Sequence, residues 1–352
     1  MVLVDEKRVY TWDELKKLEE KRRRFLVYDE NRFYGILLRR FSGTVISYIL
    51  YDKLFWITIL FFTAVRLYDT YAEFEKANVV PDSNTVAVIG GFLSFILTFF
   101  VNSAIGDYAA SYNVSMKAKG KVTELASVAE TVLPHERAQR LVRYVNAAHL
   151  VGYTALSDAY NKDNFFTPFN KEIQVLAKHE IVRLQEIDKD LNQSAVCWEI
   201  VMWSLKEIQD AMEAKLIDSR TAGSLRSIVL DFRGAMSTLF NDADQPSVTF
   251  YYYHLISFLC CIYLPLFATY QALEASEITT ALTVSDFVQL TVVFVQCCYV
   301  IGMRLMATKL MSPYENDTED LRVITFVKTC WESSTQILNA KYPGVMEMSA
   351  EV

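Results

Sequence analysis

The chain has 352 residues, of which 52% are hydrophobic and 22% charged, and a formal net charge of −7. It is too apolar for an ordinary soluble protein and too charged to be membrane throughout, so part of it spans a bilayer and part is wet. The acidic balance argues against a nucleic-acid binder, whose surface would be basic.

Residues 1–40 are polar, and the sequence predicts a helix from about Thr11 to Arg24. Cations are dense there: Lys16, Lys17, Lys21, Arg22, Arg23, Arg24, Arg32, Arg39 and Arg40. The opening residues mix acidic and basic side chains and lack the form of a cleavable signal peptide or a transit peptide.

Residues 41–106 hold two apolar stretches. The first, Phe41 to Leu67, is interrupted by Asp52 and Lys53, each of which costs roughly 3 kcal/mol at a bilayer centre. Those two are expected near the interface. Phe41–Tyr51 would then lie amphipathically on the surface, and Leu54–Leu67 would form a short first span. An acidic connection follows, with Asp69, Glu73, Glu75 and Asp82. The second stretch, Ser83–Gly106, has no ionisable residue and is long enough to cross as one helix. Phe92, Phe95, Phe99 and Phe100 recur at spacings of three and four, which puts them roughly on one face. Gly90, Gly91, Ser94, Thr98 and Asn102 are small or polar, so a neighbouring helix could approach closely, with Thr98 and Asn102 bonding across the contact. Such a helix suits assembly around a narrow axis, and it equally suits plain packing in a bundle.

Residues 107–244 regain charge at helical spacing and read as a soluble, all-helical region broken near Pro134 and Phe165–Pro168. Residues 245–308 hold two more apolar runs. In the first, Tyr251–Tyr253 form an aromatic belt and Pro265 is expected to kink the helix; the second runs from Phe287 to Met303. Residues 309–352 are a polar tail that begins with an acidic segment, and the chain's end at Val352 leaves room for a longer native protein. Basic residues crowd the N-terminus, the stretch after the second span (Lys117, Lys119, Lys121) and the end of the fourth, whereas both short loops are acidic. The positive-inside rule then places both termini and the large helical region on the cytosolic side. The fold class expected is an all-α, multi-pass membrane protein with four transmembrane helices.

The six cysteines form no CxxC. Four of them sit as neighbours in apolar runs (Cys260 with Cys261, Cys297 with Cys298), so small apolar fillers are expected rather than a disulfide framework or a zinc site. His135 and Glu136 lack metal spacing, and GxSxG, P-loop and GxGxxG patterns are missing, so no enzyme is expected.

Three stretches resemble the bestrophin family of anion channels. SFILTFFV at Ser94–Val101 is similar to its neck helix. LVRYVNAAHLVGYTALSDAYNK at Leu141–Lys162 is similar to its cytosolic helix, with Arg143, Tyr144 and Asn146. LMSPYENDTEDL at Leu310–Leu321 is similar to the acidic segment after its last span. The resemblance covers roughly Phe41 to Leu321 and implies a homopentamer around one central pore, passing chloride, with bicarbonate as a second candidate anion. By motif, Phe95 and Phe99 would line the neck. Gly91 falls where the family usually has a bulky aliphatic, and would widen the entry or shift the constriction. A cytosolic aperture would fall near Thr221, with Ile217 one turn before; an ordinary polar turn explains the same residues.

The resemblance requires no cofactor, and calcium is the one candidate. Animal members bind it in an acidic clasp, of which Asp317 and Asp320 match two ligand positions, with Glu319 adding charge. Ser312 and Lys309 replace an Asn and a Gln, and a lysine would repel the ion. The other reading is a solvated acidic cap. The partners implied are small anions, lipid and further copies of the chain. The alternative to a channel is a non-conducting membrane scaffold whose cytosolic helices recruit partners.

Overall fold

The computed structural model describes residues 10–26, 44–72, 83–157, 159–187, 193–244, 250–278, 284–315, 317 and 319–341. Arg32, Arg39 and Arg40, residues 41–43, and the connection at 73–82 lie outside them. Among the described residues every regular element is helical. The chain divides into two compact units: residues 27–109 with 246–312, and residues 1–26 with 110–245 and 313–352.

The first unit holds α2 (Val45–Tyr51), α3 (Lys53–Ala72), the start of α4 (Ser83–Val132), α10 (Phe250–Ile278) and α11 (Val284–Leu310). Among the described residues three helices are long and apolar enough to cross a membrane; α2 and α3, bent by 67° at Asp52, count as a fourth if taken as one span. The break has a local cause. The Asp52 carboxylate accepts from the Leu54 backbone N–H at 2.8 Å and also pairs with Arg304. Leu93, Leu97, Phe100 and Ala104 of α4 share one apolar core with Ile256, Cys260, Tyr263 and Leu264 of α10 and Cys297 and Ile301 of α11. Gly90 lets α4 come close to α10, because a Cβ there would lie 2.5 Å from the Tyr263 hydroxyl. Pro265 sits inside α10, which is a single helix from Phe250 to Ile278.

α4 does not stop where its apolar run stops. The polar residues after Gly106 continue the same helix to Val132, and the chain turns only at Pro134, which caps α5 (His135–Thr154).

The second unit packs α5 against α8 (Gln193–Glu213), α9 (Ser219–Asp244) and α12 (Val323–Leu338). Around them lie α1 (Trp12–Leu26), a π-turn at Lys162–Phe166 running into α6 (Thr167–Ile173), and α7 (Lys178–Ile187). Two residues of the RY-N motif, Arg143 and Asn146, are structural pins. Arg143 grips Glu180 with two bonds at 2.7 and 2.8 Å, and Asn146 donates to Ser334 at 2.9 Å. Tyr314 fastens the segment after the last span, bonding Ser115 at 2.8 Å and the Ser111 carbonyl at 3.1 Å.

Candidate functional site

In the membrane helices, the stripe of α4 bearing Val88, Phe92, Phe95 and Phe99 stays uncovered within the protomer. Phe95 is 62% and Phe99 55% exposed, and their rings meet edge to face with centroids 4.7 Å apart. Asn102 and Gly106 extend the stripe, also exposed. Gly91 faces open space, and a methyl group added there would meet nothing within 4 Å. Phe100 departs from the expectation. It is fully buried against Tyr252 and Tyr253, because one residue along a helix turns about 100° and carries it to the core side. Thr98 also differs, since its hydroxyl donates to the Ser94 carbonyl of its own helix at 2.8 Å. What remains outward is a strip of aromatic and small side chains with no ionisable group. Ring edges carry partial positive charge, so several such strips around an axis would offer an anion weak, dehydrating contact.

The expected aperture residues are in the helical unit. Ile217 is buried, while Thr221 is half-buried in the first turn of α9. The Thr221 backbone N–H donates to Asp218 at 3.0 Å, and hydrogen bonds from Thr221 hold the Asp218 carboxyl below its ordinary range. Thr221 therefore serves a helix start, and the two residues do not share one exposed face.

The acidic segment is organised by a residue that the motif comparison did not single out. Arg22 of α1 is 1% exposed. Its Nε donates to the Asp317 carbonyl at 2.8 Å, and Nη2 to the Glu315 carbonyl at 2.9 Å. Nη1 donates to the Tyr160 hydroxyl at 3.0 Å and the Leu321 carbonyl at 3.3 Å, and Nη2 also reaches Asp320 Oδ2 at 3.4 Å. Burial holds the Asp320 carboxyl high, at about 8, against the pull of that guanidinium. The guanidinium already takes the Asp317 and Glu315 carbonyls and Asp320 Oδ2, and its fixed positive charge would repel a cation beside them, so the segment as it stands does not fit a calcium clasp. Asp317 is half-buried, and its backbone N–H donates to Asp320 at 2.6 Å. Ser312 is exposed and Lys309 lies 4.4 Å above the Tyr48 ring; both belong to the membrane-helix unit.

The sequence reading also passed over Arg66, which is buried inside α3 and paired with Asp286 and Asp69. An ionisable residue inside an apolar span was the available signal. Arg304, near the end of α11, pairs with Asp52.

The family model described as bestrophin, RFP-TM, chloride channel, matches residues 28–340. This chain belongs to the bestrophin family. It is a family of membrane channels, not of enzymes. Solved structures agree on the fold. A bacterial bestrophin homologue from Klebsiella pneumoniae, phased on zinc, superposes with a TM-score of 0.68 at 14% identity, covering 85% of this chain and 100% of that one. A single-mutant form of the homologue gives a TM-score of 0.69 at 14% identity, with the same coverage. No curated protein sequence matches this bestrophin.

Proposed function

We propose that this bestrophin is an anion-selective channel, a homopentamer in which α4 of each subunit faces a common axis and lines a hydrophobic neck at Gly91, Phe95 and Phe99. Chloride is the expected ion, with bicarbonate second, moving passively down its gradient. Four spans cross the bilayer, counting α2 with α3 as one, and both termini lie on the cytosolic side. The observation that carries the reading is the asymmetry of α4: Leu93, Leu97, Phe100 and Ala104 are buried, while Phe92, Phe95 and Phe99 are left open. Selectivity would come from size and dehydration at the rings, since no charged residue lies on that stripe. The Gly91 ring, lacking side chains, would widen the entry above Phe95. The test is chloride efflux from liposomes holding wild type, Phe95→Ala or Phe99→Ala. A channel changes its rate or its ranking of anions in the variants. A scaffold shows no efflux in any of them.

A further inference from the structure

The Arg22 guanidinium has five N–H donors, and the structure gives it five contacts, four of them to acceptors in residues 315–321 and the fifth to Tyr160. Three are backbone carbonyls of one short segment, converging on one positive group together with a carboxylate oxygen. Oxygen convergence of that kind is what a bound metal cation commonly organises. Here the charge comes from the chain's own first helix. Thr11 starts α1, exchanging bonds with Glu14, and Trp12 and Glu19 hold the helix against its neighbours. The Trp12 ring sits 6.2 Å from Phe165 and 6.1 Å from Phe169. One turn before Arg22, the buried Glu19 accepts from the backbone N–H groups of Ile324 at 2.8 Å and Thr325 at 3.1 Å, capping the first turn of α12.

We propose that α1 is a tethered cation plug. Arg22 is the resident positive charge of the 315–321 segment, and with Glu19 it sets the order of that segment and the start of α12 by docking, in place of a soluble divalent cation. The segment is ordered by the presence of α1 and is indifferent to calcium. Removing the N-terminal helix, or its Arg22 guanidinium, releases the same stretch of chain that a calcium chelator would release in a metal-held clasp. The inference rests on the geometry of the helical unit and stands whether or not the chain conducts.

The test is amide hydrogen exchange of residues 313–327 in the full-length protein, with calcium chelated and with calcium restored. Wild type should exchange at one rate in both. Arg22→Ala leaves buried acceptors without their donor, and should exchange roughly a hundredfold faster there. Adding free guanidinium ion should slow that exchange again. Arg22→Lys keeps the charge but has three donors and no planar fork, so it should fall between the two, and it carries the test if the alanine variant does not fold. Slower exchange of wild type on adding calcium would overturn the proposal. So would unchanged exchange of 313–327 in both Arg22 variants.

Discussion

Phe95 and Phe99 stack edge to face, 4.7 Å between ring centroids, on the side of α4 that the protomer leaves uncovered. The next residue, Phe100, is buried completely. The three phenylalanines therefore respond differently to truncation. Phe100→Ala opens a cavity in the core shared with Tyr252 and Tyr253, and should cost about 3–5 kcal/mol. Phe95→Ala and Phe99→Ala should shift the stability of the isolated protomer by only about 0.5 kcal/mol. Thermal unfolding of the three variants in detergent checks the contrast.

Adjacent glycines provide a second pair. A Cβ at Gly90 would sit 2.5 Å from the Tyr263 hydroxyl and 3.0 Å from its ring carbon. Gly90→Ala should therefore destabilise by about 1–3 kcal/mol. Gly91→Ala meets nothing within 4 Å, and gains up to about 1 kcal/mol of helix propensity. Unfolding midpoints of the two variants should move in opposite directions.

Much of this was legible in the sequence, and the misses share physical reasons. The Ser83–Gly106 run stands out because it lacks ionisable residues, but hydropathy reports surroundings and not where a helix ends. The chain after Asp107 changes solvent without changing conformation, since no proline intervenes before Pro134. Grouping Phe100 with Phe95 and Phe99 failed on a single residue of helical phase. Arg22 was one of eleven cations in residues 1–40. Its acidic partner Asp320 lies 298 residues away, and no local spacing shows which cation in a basic stretch is buried.

Buried ion pairing in the membrane helices gives a third prediction. Arg66 is 2% exposed and holds Asp286, with Asp69 at 3.7 Å. Removing one partner of such a pair strands a charge, at about 3–5 kcal/mol, whereas replacing both by apolar residues is often mild. Arg66→Met, which takes the shared cation from both Asp286 and Asp69, should be the more damaging single change. The double variant Arg66→Met with Asp286→Leu should unfold closer to wild type than either single substitution does. A double variant worse than both singles would show that the pair is net stabilising.

His149 makes stability depend on acid. It is fully buried against the rings of Tyr153 and Phe232, and neither ring nitrogen has a hydrogen-bond partner among the described residues. Burial, helped by the nearby Lys119 charge, lowers its pKa to about 3. The folded value is thus below the unfolded value of about 6.5. The unfolded chain binds the extra proton between the two, so this contribution is fully present above pH 6.5 and is lost as pH falls toward 3. The slope is about 1.4 kcal/mol per pH unit. Denaturant midpoints of wild type should fall across that window, and those of His149→Phe should fall less steeply by that amount.

The central claim is that the chain conducts anions through a neck of uncovered phenylalanines. Current through purified protein in a planar bilayer, with chloride concentration unequal across it, tests it most directly. A reversal potential that follows the chloride gradient, with a conductance altered in Phe95→Ala, is the predicted result. Protein shown to be pentameric that passes no current, or a reversal potential that follows the cation instead, would contradict it.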